Sequence, residues 1–131
     1  LALSFYVPAI FELRYLPLVI LSFVLTDLVI GFHDAVFLLG GSVLLIGLLS
    51  VYFVENIKTR LIGATAGAVV FFVITNFGVW TSGMYGYTAQ GLYTCFALAI
   101  PFFAYSCIST LLFAIMFETV YKFYKTKFAH N

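Results

Sequence analysis

LIGATAGAVVFFVITNFGVW, residues 61–80, carries no charged side chain. It matches the about 20 residues an α-helix needs to cross a bilayer. Its small residues recur at helical spacing. Gly63 and Gly67 form a GxxxG, overlapped by Ala64 and Ala68. Lipid provides no hydrophobic drive between helices, so backbones held close over small residues are what join them. The stretch therefore predicts a spanning helix whose Gly63 and Gly67 pack inside the protein first and against another subunit second.

The surrounding sequence has the same character. Of 131 residues, 64% are hydrophobic and 8% charged, against about 45–50% and about 25% in soluble domains. So few charges cannot cover a soluble surface. They are also grouped: Glu12 with Arg14; Glu55, Lys58 and Arg60; Lys122, Lys125 and Lys127. Glu55–Arg60 reads as the clearest loop. Residues 16–32 form a span with Pro17 in its first turn, where a missing N–H costs nothing. Residues 35–54 form another, with Gly40 and Gly47 seven apart on one helical face. Residues 81–90, with glycines and tyrosines, suit a loop at the membrane interface. Residues 91–123 as one helix would be about 50 Å long, so Pro101 is expected to divide them. That leaves 91–100 interfacial or re-entrant and 104–123 as a span. Residues 1–11 are too short to cross, and Pro8 is expected to bend or end them. The fold class expected is all-α: a single polytopic transmembrane domain over 1–131, with about four full spans plus partial or re-entrant segments. The chain starts at Leu1 with no charged n-region or cleavage site, and an upstream N-terminal helix is expected.

Basic residues set the expected orientation, because cytoplasmic flanks are enriched in Lys and Arg. Lys58 and Arg60 mark one cytoplasmic loop, and Lys122, Lys125 and Lys127 mark a cytoplasmic C-terminus. Crossings at 61–80 and 104–123 join them. Crossings at 16–32 and 35–54 bring Arg14 to the same side. A full span over 89–103 is the alternative, and it would place the C-terminal lysines outside.

Polar residues then gather at the outer end. Asp27 is an acid within a span, which costs about 2.5–3.5 kcal/mol at a helix centre. It reads either as a ligand- or proton-binding group or as a hydrogen-bonded helix end. His33 follows six positions later in the turn with Asp34, as a ligand group or a solvated turn histidine. Asn76 needs a hydrogen-bond partner, across helices or on a solute. Trp80, Tyr85, Tyr87 and Tyr93 suit either an aromatic pocket or an interfacial belt. Glu118 lies four before Lys122, the spacing of a helical ion pair.

Other classes find no support. A net charge of +1 implies no nucleic-acid partner. Cys95 and Cys107 lie in apolar sequence without ligand spacing. They read as buried, inert thiols, with no metal site and no cofactor. No Ser-His-Asp pattern, phosphate loop, HExxH or haem-type histidine pair is present, so an enzyme is not expected.

Two stretches resemble a known family. Leu25-Thr26-Asp27-Leu28-Val29-Ile30-Gly31-Phe32-His33 matches a span ending S/T-D-L-x-x-G-F-H. Thr75-Asn76-Phe77-Gly78-Val79-Trp80 matches T-N-F-G-V-W. A G-x-Y, then Gly91-Leu92-Tyr93-Thr94-Cys95-Phe96 and Pro101-Phe102-Phe103, follow in order. Together, over roughly residues 16–115, they resemble an uncharacterised bacterial multi-pass membrane family, a domain of unknown function. Gly86 stands where that family commonly has proline, and Ser109-Thr110 where it commonly has Gly-Asp. The resemblance implies a bacterial inner (cytoplasmic) membrane location and a further upstream helix. Its layout is loosely similar to the substrate-capture subunits of energy-coupling-factor vitamin transporters, an analogy of architecture alone.

Two functions are expected from this reading. The first is a small-solute-binding subunit of a transport system, with an outward site drawn from Asp27, His33, Asn76, Trp80, Tyr85 and Tyr93. The second is a non-catalytic accessory or structural subunit of a larger membrane complex, its partner lost when Gly63 or Gly67 becomes Leu, with Gly40 and Gly47 as further helix-packing positions. The expected partners are the lipid bilayer, other membrane subunits and a small-molecule solute.

Overall fold

The structure, a computed structural model, describes residues 1–31 and 36–128. These contain five α-helices and no strand: α1 (Ala2–Phe11), α2 (Leu16–Ile30), α3 (Val36–Ser50), α4 (Ile57–Thr81) and α5 (Ala89–Phe128). Short 3₁₀ turns at Leu13–Tyr15 and Val51–Phe53 lie before α2 and after α3.

Two helices, α4 and α5, are long and apolar enough to cross a membrane. In their most apolar stretches only 28% and 17% of residues are buried inside the protein. A core helix of a soluble protein would be mostly buried, so the outward apolar faces of α4 and α5 call for an apolar surrounding. The expected spans 61–80 and 104–123 lie within these two helices. The expected spans 16–32 and 35–54 correspond to α2 and α3, each 15 residues. At 1.5 Å per residue each is about 22 Å long, short of an about 30 Å hydrocarbon core. Gly31, with φ +106°, ends α2 in a conformation that other residues rarely adopt.

Two local expectations are corrected. Glu55–Arg60 is not all loop, because α4 begins at Ile57. Asn56 Oδ1 accepts from the Thr59 N–H at 3.0 Å, and Thr59 Oγ1 accepts from the Asn56 N–H at 3.1 Å. This capping box satisfies two donors that a helix start otherwise leaves free. The second correction concerns Pro101. It does not divide residues 91–123, and no separate re-entrant segment forms at 91–100, because α5 runs unbroken for 40 residues, about 60 Å. A proline removes one helical hydrogen bond, and here α4 braces both sides of the gap. The Phe72 ring meets Phe96 before Pro101 at 5.5 Å and Phe103 after it at 4.6 Å.

The core sits where α1 enters the bundle. Phe5 and Tyr6 of α1 are fully buried in a cluster with Ile46 of α3, Ala64 of α4 and Ala114 of α5. The two alanines leave room for the two aromatic rings. Tyr6 stacks on Phe117 at 5.5 Å, and Phe5 meets Tyr6 edge-on at 5.4 Å. Pro8 lies inside α1 rather than ending it. Residues 1–11 are thus central packing material, with α1 touching every other helix.

Candidate functional site

The α4–α5 hairpin has two chemically distinct ends. At the first, Arg60 in the opening turn of α4 meets Glu118 of α5. Arg60 Nε donates to Glu118 Oε1 at 2.6 Å and Nη2 donates to Oε2 at 2.8 Å. Arg60 Nη1 donates to the Val54 carbonyl at 2.9 Å. The two side chains are 11% and 6% exposed, and the Tyr121 ring lies 5.5 Å from the guanidinium. Sequence spacing pairs Glu118 with Lys122, and the structure corrects this by placing Glu118 on Arg60. The planar guanidinium fork matches both carboxylate oxygens, which one ammonium cannot do.

At the other end the chain turns through residues 82–88. Gly83 and Gly86 take φ +81° and +78°. Trp80 Nε1 donates to the Thr88 carbonyl at 3.2 Å, and Thr88 Oγ1 accepts from the Gly91 N–H at 3.0 Å, capping α5. A Cβ on Gly91 would overlap the carbonyl oxygens of Tyr85 and Gly86, so only glycine fits where the loop crosses the helix start.

Behind this loop lies a cleft of about 200 Å³ lined by Asn76, Val79, Tyr85, Cys95, Leu98, Ala99 and Phe102. Asn76 Nδ2 donates to the Phe72 carbonyl one turn back at 2.7 Å. The Cys95 thiol donates to the Asn76 backbone carbonyl at 3.3 Å. The Asn76 side chain therefore bonds its own helix, and its backbone makes the link to α5. Among the described residues, neither the Asn76 carboxamide oxygen nor the Tyr85 hydroxyl has a hydrogen-bond partner. Among the described residues, no charged side chain lines the cleft. A smaller hollow of about 70 Å³ continues on the other side of Asn76, toward Thr75, Phe103 and Ser106.

The residues singled out in the sequence are only partly brought together. Asn76 and Tyr85 share the cleft. Trp80 stands beside it, among Phe77 and Tyr87. Tyr93 is 71% exposed on the outside of α5. Asp27 is half-buried near the end of α2, whose main packing partners are α1 and α3. His33 lies outside the described residues. Among the described residues no three His, Cys, Asp or Glu side chains gather as a metal site.

The glycines also differ. A Cβ on Gly63 would overlap Phe5 and Phe53, one on Gly47 would overlap Leu16, and one on Gly67 would press on Ile46. A Cβ on Gly40 or Gly41 would meet nothing within 4 Å. Gly78, which the sequence marks only within the family pattern, is closed off by Leu38. Three residues of the site were missed as well. Cys95 reads from sequence as a buried, inert thiol and is buried but also bonds the Asn76 carbonyl; Thr88 carries no motif, and Gly91 stands out only within the family pattern.

Neither a curated protein nor a solved structure matches the chain. A family model described as a family of unknown function, DUF6580, matches residues 1–131. With its whole length covered, the chain belongs to the DUF6580 family of unknown function.

Proposed function

We propose that the chain is a multi-pass membrane protein, with α2 and α3 completing a four-span bundle, that binds a small uncharged solute as the capture subunit of a transport system. The observation that carries this is the cleft between α4 and α5. Asn76 and Tyr85 line it with hydrogen-bonding capacity unused among the described residues, and no charged side chain of those residues lines it. An ion held there would lose its hydration without a counter-charge, which is prohibitive in an apolar site. A neutral solute with a donor and an acceptor would meet the phenol and the carboxamide. The cleft is smaller than the about 300–1,000 Å³ of drug-sized sites, which restricts the solute to a compact molecule.

The direction of capture follows from the charges. The cleft lies at the opposite end of the hairpin from Lys58, Arg60, Lys122 and Lys125. By the positive-inside rule that basic end and the C-terminus face the cytoplasm of a bacterial inner membrane, and the cleft faces outward. The proposed role is binding, with no catalytic step.

Native mass spectrometry of the protein extracted gently from its own membranes tests this reading. The expected result is a small neutral molecule bound to the wild-type chain and lost from Asn76→Ala, with helicity unchanged. An identical spectrum for both proteins would sink it.

One observation favours a second reading, an accessory subunit of a larger complex. Gly40 and Gly41 form a notch on α3 with nothing opposite, beside a Phe37 that is 89% exposed. A partner helix could approach closely there. In that case another protein co-isolates at fixed ratio and is lost from Gly41→Leu.

A further inference from the structure

At the basic end of the hairpin, a groove of about 230 Å³ runs between α4 and α5, lined by Ile57, Leu61, Ile115, Glu118, Thr119 and Lys122. It adjoins a second hollow of about 440 Å³ that shares Thr119 and Lys122 and adds Phe123 and Thr126. We propose that this groove holds an anionic phospholipid, with the headgroup phosphate on the Lys122 ammonium and an acyl chain along Leu61 and Ile115.

Charge decides the headgroup. Glu118 would repel an anion, but both of its carboxylate oxygens are occupied by Arg60. Lys122 has no ion-pair partner among the described residues and is exposed at the mouth of the groove. The mouth therefore presents a cation beside a neutralised acid. Lys125 and Lys127 follow on the same helix end and add attraction for an anionic leaflet.

Shape decides the rest of the ligand. Leu61 and Ile115 lie on the inner side of the ion pair, toward the apolar middle of the hairpin, while Ile57, the first residue of α4, stands level with the headgroup end. A free phosphate ion would use Lys122 and leave this wall bare. A phospholipid uses both, because its charge and its hydrocarbon are arranged in the same order along the bilayer normal. The inference needs only that α4 and α5 cross a membrane, and it stands apart from the solute reading.

The test is native mass spectrometry of the whole chain in mild detergent, offered equal amounts of dioleoylphosphatidylglycerol and dioleoylphosphatidylcholine. The wild-type protein is expected to retain the anionic lipid preferentially. Lys122→Gln should lower that preference about fivefold, the effect of one lysine held against an anionic headgroup. Lys122→Arg and Lys127→Gln should each keep most of it. Equal retention of the two lipids by the wild-type chain overturns the proposal. So does an equal loss in Lys127→Gln, which would mark a diffuse basic tail, or a loss in Lys122→Arg, which would mark a packing effect. Displacement of the lipid by an equal amount of glycerol phosphate would identify a free-anion site and also overturns it.

Discussion

Arg60 and Glu118 lie 58 positions apart and close one end of the α4–α5 hairpin with two parallel hydrogen bonds, 2.6 and 2.8 Å long. Glu118 is buried and Arg60 nearly so, at 6% and 11% exposed, so each charge depends on the other. Removing one partner strands the second, a loss of about 3–5 kcal/mol. Glu118→Ala and Arg60→Ala should therefore each unfold at markedly lower denaturant in detergent. The double change Arg60→Met with Glu118→Leu should recover much of the loss. Single variants as stable as the wild-type protein would show that the pair is not buried in the folded state.

Gly91 is the tightest backbone contact at the other end, where the carbonyls of Tyr85 and Gly86 occupy the space of a Cβ. Backbone, unlike a side-chain tip, cannot step aside. Gly91→Ala should cost about 1–3 kcal/mol, the range for overpacking. Trp80 is the single tryptophan and bonds Thr88 in the same loop, so its emission should shift to the red in this variant. An unchanged spectrum together with an unchanged melting temperature would contradict the loop packing.

The glycines of α3 and α4 should separate cleanly under substitution by leucine. Gly63 is closed by Phe5 and Phe53, whereas Gly40 faces open space. Gly63→Leu is expected to prevent folding or to expel α1 from the core. Gly40→Leu is expected to leave the isolated chain folded. Size-exclusion profiles and helical circular dichroism of the two variants would check the contrast, and equal behaviour would refute it.

The two cysteines should react differently with N-ethylmaleimide in mild detergent. Cys95 is 3% exposed and bonded to the Asn76 carbonyl, while Cys107 is only half-buried. Intact-mass kinetics should show Cys107 modified first. Asn76→Ala widens the cleft beside Cys95 and should speed its modification several-fold. Faster reaction at Cys95 in the wild-type protein would place that thiol outside the hairpin.

The sequence made some local features readable and hid others. Asn56 and Thr59 already spell a helix start, an Asn followed three positions later by a hydroxyl residue. The grouping of charges at 55–60 nonetheless suggested a loop. Pro101 is a local helix breaker whose effect is overruled by Phe72, a residue on another helix. Glu118 has a lysine at helical spacing, so the local pattern offered a sufficient partner. The true partner, Arg60, becomes visible only once α4 and α5 lie antiparallel.

The same division runs through the whole molecule. A near absence of charge and long apolar runs are enough to call for helices, and the outward faces of α4 and α5 agree. Those properties are summed along the chain, so order and composition carry them. Which helix fills the core, which acid meets which base, and whether Asn76 and Tyr85 face one cleft depend on contacts between segments far apart in sequence. In an apolar solvent nearly every face of a helix is permitted to point outward, so hydrophobic periodicity no longer marks the inner one. Close packing makes that choice instead. Phe5 against Gly63, Ile46 against Gly67 and Leu38 against Gly78 are matches of shape that exist only in the assembled bundle.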